Sequence, residues 1–148
     1  MEFSRSPESL AAEVAPRLER LVGLFRRLSP PDGLSLTAAA TLATLERSGA
    51  CRLTSLALGE GVTQPAMTQL IARLQGEGLV DRLTDPGDGR VVLVGITEAG
   101  RAALARRRGV RAGRLAGLLG QLSPDEQAAL GHALTAMDAL AGAPAGAR

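Results

Sequence analysis

Residues 53–90 read LTSLALGEGVTQPAMTQLIARLQGEGLVDRLTDPGDGR, and their order decides the fold. A short helix is expected from Thr54, whose hydroxyl can cap it, with Leu56 and Ala57 turned inward. Gly61 ends it, because a sharp reversal needs a residue that accepts positive φ. Thr63 can cap a second helix, and Pro65 falls in its first turn, where a missing N–H costs nothing. Met67, Leu70, Ile71 and Leu74 recur at helical spacing and mark a buried stripe. Ala57, Gly61 and Met67 have the spacing of a helix-turn-helix. The small Ala lets two helices cross closely, the Gly makes the turn, and the Met fills the angle between them.

Gly76 and Gly78 stop the second helix, and the stretches 79–84 and 91–96 have the β-branched, apolar character of strands. Between them Asp85-Pro86-Gly87-Asp88 places Pro and Gly for a type II turn. A hairpin after a helix-turn-helix is a winged helix. With these residues in view, the segment 61–100 resembles the MarR family of bacterial transcription regulators. The carriers are Val62-Thr63-Gln64-Pro65-Ala66-Met67-Thr68, the exit Gly78-Leu79-Val80, the wing Asp88-Gly89-Arg90, and Thr97-Glu98-Ala99-Gly100. The likeness is strong from about Leu53 to Gly100 and weaker outside it.

Working outward, Ser6-Pro7-Glu8 starts a helix, and Leu10, Val14, Leu18, Leu21, Phe25 and Leu28 give it a seam for other helices. At Pro16 the helix either kinks or begins its main part. Ser29-Pro30-Pro31-Asp32-Gly33 ends the segment. A helix from about Ala38 to Arg47 follows, with Leu42 and Leu45 inward and Ser48-Gly49 closing it. The stretch 50–53 is short enough for a third, minor strand against the wing. Thr97 caps a long helix reaching about Leu122, with Gly109, Gly113 and Gly117 on one face. Each Gly costs that helix about 1 kcal/mol relative to Ala, a loss that close approach by another helix can offset. Ser123-Pro124-Asp125-Glu126 is a capping box for a last helix through Leu130, Leu134, Met137 and Leu140, and 142–148 reads as a frayed tail.

Composition bounds the class. The chain has 148 residues, 45% of them hydrophobic, with two Phe and no Trp or Tyr, so its core is aliphatic. All 17 basic residues are Arg, and the net charge is only +2, so arginine abundance alone says little about nucleic acid. A lone Cys51 excludes an internal disulfide and suggests a reducing compartment. There is neither an apolar signal core near the start nor an apolar run of the roughly 18–20 residues a membrane span needs. A cytoplasmic protein is expected, with no membrane partner. Nucleophile elbow, P-loop, dinucleotide fingerprint and His–acid cluster are all missing, so no enzyme and no cofactor are expected.

The outward face of the second helix carries Gln64, Thr68 and Gln69, and Arg73 follows a turn later. Gln can read adenine with two hydrogen bonds, Thr and Ala can touch a thymine methyl, and Arg73 suits a phosphate. Thr63, Pro65 and Ala66 complete the start of that helix. Backbone amides near Thr54 and Ser55 suit a phosphate, although a cap alone would explain those residues. By the resemblance, Arg90 matches the family's wing-tip arginine, and Asp88 is expected to orient it through a salt bridge. Arg82 could serve a phosphate or be a plain strand-edge charge. Many MarR proteins carry Arg where this chain has Gln69, which leaves the preferred base sequence open. Some relatives sense oxidants through a cysteine in the first helix. Cys51 lies elsewhere and without a second thiol, so it reads as structural, as does the lone His132. Arg106-Arg107-Arg108 reads as a solvated face, with phosphate contact or the wall of an anionic-ligand site as minor options.

The expected architecture is mainly α with a small β-hairpin wing. Residues 34–96 form the winged helix-turn-helix, and 1–33 with 97–148 form a helical dimerisation region. The resemblance implies a homodimer with interlocked terminal helices that binds a pseudo-palindromic double-stranded DNA operator as a repressor. It also implies a small ligand, often an anionic aromatic, held where the arm meets the winged helix. The alternative is a winged helix used for protein–protein contact without DNA, against which the polar outward face argues.

Overall fold

Hydroxyl groups start the helices of this chain. In the computed structural model, which describes residues 5–143, the first helix, α1, spans Pro7–Leu28 behind Ser6. It runs unbroken through Pro16, so the main helix does not begin there. Helix α2 (Leu36–Ser48) starts on Ser35, whose Oγ accepts the Ala38 N–H at 3.1 Å. It ends on Gly49 at φ 78°, a backbone conformation that glycine adopts freely. Helix α3 (Leu53–Gly59) is the exception. Its N-cap is Arg52, no side chain caps it, and Thr54 lies inside the first turn rather than before it. Helix α4 (Gln64–Gly76) starts on Thr63, whose Oγ1 accepts the Ala66 N–H at 3.3 Å.

Strands β1 (Val80–Thr84) and β2 (Val92–Ile96) pair antiparallel, with Val80 opposite Ile96 and Thr84 opposite Val92. The expected third strand shrinks to one bridge between Cys51 and Val94. The turn is not type II, because Gly87 has no positive φ. Asp85 Oδ1 instead accepts the Gly87 N–H at 2.8 Å, so a side chain shapes the turn that Gly was expected to shape. Helix α5 spans Glu98–Leu119 and α6 spans Pro124–Gly142 behind a complete Ser123–Glu126 capping box. Of the expected frayed tail, Gly142 closes α6, and residues 144–148 lie outside the described residues.

The chain divides into two compact units between Arg111 and Ala112. The first holds the core: Leu42, Leu45, Met67, Ile71, Leu74 and Val80 are fully buried, and Leu56, Ala57, Val94 and Leu104 nearly so. This cluster joins α2, α3, α4, the hairpin and the first half of α5 into one apolar body, so the outward faces of α4 and the wing are carried on a fixed frame. Gly100 lets α5 approach, since a Cβ there would collide with the Leu79 carbonyl oxygen. The second unit holds the end of α5 and α6. No residue of α6 is buried, and Leu130, Leu134, Met137 and Leu140 are exposed. On α1, Leu10, Leu18, Leu21 and Phe25 are exposed as well, and only Leu28 is buried.

Candidate nucleic-acid interface

The crossing of α3 and α4 follows from three residues. Ala57 is 3% exposed and Met67 0%, and Gly61 takes φ 65° to turn the chain between them. The Val62 N–H reaches back to the Ala57 carbonyl at 3.0 Å and closes the turn. With Met67, Leu70, Ile71 and Leu74 buried, the opposite face of α4 is free: Gln64, Pro65, Ala66, Thr68, Gln69 and Arg73 are all exposed. Thr63 spends its hydroxyl oxygen on the cap. Thr68 donates its hydroxyl proton to the Gln64 carbonyl at 2.9 Å, so it offers the outside an acceptor and a methyl group rather than a donor. Thr54 and Ser55 are exposed in the first turn of α3, beside backbone N–H groups that no side chain caps.

The wing differs from expectation at one residue. Asp88 makes no salt bridge to Arg90; its Oδ1 accepts the Arg90 backbone N–H at 3.0 Å. Asp88 therefore bends the hairpin tip, and the Arg90 guanidinium projects without an acidic partner among the described residues. Arg82 is held by Gln75, its Nε donating to Oε1 at 3.1 Å, which links the end of α4 to β1. Cys51 donates its thiol to the Gly49 carbonyl at 3.2 Å and fills a strand bridge, a structural position. His132 is exposed, and no His, Cys, Asp and Glu cluster able to hold a metal occurs among the described residues. None of the described helices is long and apolar enough to cross a membrane.

The Arg106–Arg108 run is a solvated face at Arg106 and Arg108 but not at Arg107. Arg107 is buried and bonds Asp32 Oδ1 at 2.5 Å, while Arg108 bonds Glu46 Oε2 at 2.6 Å. Arg111, one turn on, stacks over the Phe25 ring at 3.7 Å and donates to Ser29 Oγ. Burial, then the charge of Arg107, pulls the Arg111 pKa below its usual value. Burial pushes the Asp32 carboxyl up. The Leu34 N–H and the Arg107 guanidinium more than reverse that and leave it below the ordinary range. The signal was in the spacing: Gly100, Leu104, Arg107 and Arg111 continue one stripe of α5, and a charge on a core stripe needs a partner. Beside the pair opens a cleft of about 410 Å³, walled by Pro30, Asp32, Leu34, Glu77, Leu79, Ala103, Arg106, Arg107 and Val110.

The sequence model of the MarR family matches residues 34–92. An HTH-type transcriptional regulator from Mycobacterium bovis is 36% identical over 135 residues, spanning 91% of this chain and 94% of the relative. The chain belongs to the MarR family. Among solved structures, RV1404 from Mycobacterium tuberculosis superposes with a TM-score of 0.77 at 28% identity, covering 98% of this chain and all of that one. BpsR from Bordetella bronchiseptica, whose DNA binding is regulated by 6-hydroxynicotinic acid, superposes with a TM-score of 0.60 at 27% identity, covering 93% and 96%. As a MarR-family protein the chain is a DNA-binding transcriptional regulator, and α3, α4 and the hairpin are its winged helix-turn-helix.

Proposed function

We propose that the protein is a homodimeric repressor of the MarR type that binds a pseudo-palindromic double-stranded operator. One observation carries this reading: α4 buries one face completely and leaves Gln64, Thr68, Gln69 and Arg73 exposed on the other, with a charged wing following. Gln64 and Gln69 read base edges in the major groove, and Ala66 and the Thr68 methyl meet thymine methyl groups. Thr63 and Pro65 fix the start of that helix. Thr54, Ser55 and Arg73 contact phosphates. Asp88 shapes the wing so that Arg90 reaches the minor groove.

Residues 34–96 act as the DNA-binding part, and 1–33 with 97–148 as the dimerisation part. Support comes from the exposed apolar residues of α1 and α6, too many for a solvated helix face to leave uncovered. A two-fold dimer sets the two recognition helices on half-sites about 34–36 Å apart. An aromatic acid occupying the cleft beside Arg107 releases the operator by favouring a dimer of different spacing. The regulation of BpsR by 6-hydroxynicotinic acid, an aromatic acid, supports that choice of ligand class.

Selection from a random pool of double-stranded DNA tests the reading. Enrichment of an inverted repeat with half-sites one helical turn apart is expected, as is its release by aromatic acids. A pool that stays random after repeated rounds would sink it.

A further inference from the structure

Arg107 and Asp32 are unequal partners. The Arg107 side chain is 2% exposed, while the Asp32 side chain is 30% exposed at the cleft. One oxygen, Oδ1, serves both Arg107 Nη1 at 2.5 Å and the Leu34 N–H at 3.0 Å. Arg107 Nε is buried and has no acceptor. A guanidinium presents five donors in a planar fork and is best met by two oxygens at once. Asp32 offers it one oxygen, and Arg107 is itself part of the cleft wall.

The rest of the cleft suits an acid with an apolar body. Leu34, Leu79 and Val110 line it, and Arg106 adds a cation without an acidic partner among the described residues. Its volume of about 410 Å³ lies within the range of small-ligand sites, roughly 300–1,000 Å³. Asp32 also belongs to the segment 29–35 that joins α1 to α2, whereas Arg107 belongs to α5. The pair thus fastens that connection to α5.

We propose that Asp32 is an internal stand-in for the ligand: the carboxylate of a small apolar acid displaces it from Arg107, so ligand binding and the Asp32–Arg107 pair exclude each other. This rests on the reading of the cleft as the ligand site and adds how occupancy is sensed. The incoming carboxylate takes Nη1 and Nη2, the two adjacent donors at the end of the guanidinium fork. Asp32 turns to solvent, and the 29–35 connection loses its ion pair to α5 while the Ser29–Arg111 hydrogen bond stays. Repulsion between Asp32 and the bound acid keeps the empty and filled states distinct, because one guanidinium does not satisfy both.

The test is calorimetric titration of the full chain with benzoate, with benzamide as the neutral analogue. Asp32→Asn keeps an oxygen for the Leu34 N–H and removes the competing charge. It is expected to bind benzoate at least about tenfold more tightly than wild type, with benzamide unaffected. In the wild type, benzoate is expected to shift the Arg107 Nε–H and Leu34 N–H resonances together, a readout that needs no variant to fold. Equal benzoate affinity in wild type and Asp32→Asn overturns the exchange and leaves the cleft as a ligand site. Saturation by benzoate with both resonances unmoved does the same. No binding of benzoate to either protein overturns both readings.

Discussion

Thr97 Oγ1 donates to the Gly78 carbonyl oxygen at 2.6 Å and accepts the Gly100 N–H at 3.0 Å, so one hydroxyl ties the start of α5 to the turn that ends α4. Thr97→Val removes both bonds while keeping the shape, and should lower stability by about 1–2 kcal/mol in urea denaturation. Thr97→Ser should recover most of the loss. Gly100→Ala, driven against the Leu79 carbonyl, should cost about 1–3 kcal/mol. Unchanged urea midpoints for Thr97→Val and Gly100→Ala would show that this joint is not tight.

The two DNA-contacting elements should separate in a salt titration. Loss of a paired base contact costs about 1–3 kcal/mol, concentrated on one base pair. Gln64→Ala and Gln69→Ala should therefore relax sequence preference and leave the salt slope nearly intact. Arg90→Ala should weaken binding on most sequences and lower the slope of log K against log salt by about 0.9 per subunit. Because Asp88 holds backbone rather than guanidinium, Asp88→Ala should act by loosening the hairpin tip. An Arg90→Ala protein with wild-type affinity and slope would take the wing off the DNA.

Assembly is tested at Gly113. A Cβ there meets nothing within 4 Å in the single chain, and replacing Gly removes about 1 kcal/mol of helix penalty. Gly113→Leu should thus keep its helicity and lose its dimer in light scattering. A wild-type protein that stays monomeric at micromolar concentration would refute the dimer itself.

Acid should act on the Asp32–Arg107 pair in one direction. The folded pKa of Asp32 lies below the ordinary carboxylate range, so the charged form is favoured by folding. That contribution is full above the unfolded pKa and is lost as the pH falls through the folded one. The melting temperature of wild type should exceed that of Asp32→Asn at neutral pH, and the gap should close as the pH falls below the ordinary carboxylate range. A gap that stays constant into acid would mean that the charge of Asp32 adds nothing.

Redox insensitivity follows from the position of Cys51, whose thiol bonds the Gly49 carbonyl with no other cysteine in the chain. Wild type and Cys51→Ser should hold DNA equally well in peroxide. Release of the wild type alone would reverse this.

What could be read in the sequence was what local chemistry dictates. Helix starts followed from Ser and Thr followed by Pro or acid, and the core of α4 from the spacing of Met67, Leu70, Ile71 and Leu74. The family motif marked the winged helix and the polar face of α4. Three details escaped because they depend on partners distant in sequence or on rival uses of one side chain. Asp32 and Arg107 lie 75 residues apart, so the stripe that singles out Arg107 does not name its partner. Asp88 was expected to hold the Arg90 guanidinium and Gly87 to shape the turn, but Asp85 and Asp88 both accept backbone N–H groups. Thr54 lost the cap of α3 because the helix begins two residues earlier than a Thr54 cap requires, behind Arg52.

The single Cys51–Val94 bridge makes the wing a cantilever. Val94, near the base, is 2% exposed and is gripped from both edges, by β1 and by Cys51. Val92, one step nearer the tip, is 54% exposed and has β1 alone. Stiffness should therefore fall along the hairpin, and amide exchange should quicken from Val94 towards the tip. A rod clamped at one end lets Arg90 sweep an arc while Gln64 and Gln69 stay in register. The arm that feels for the groove can yield on a poor site without disturbing the helix that reads it.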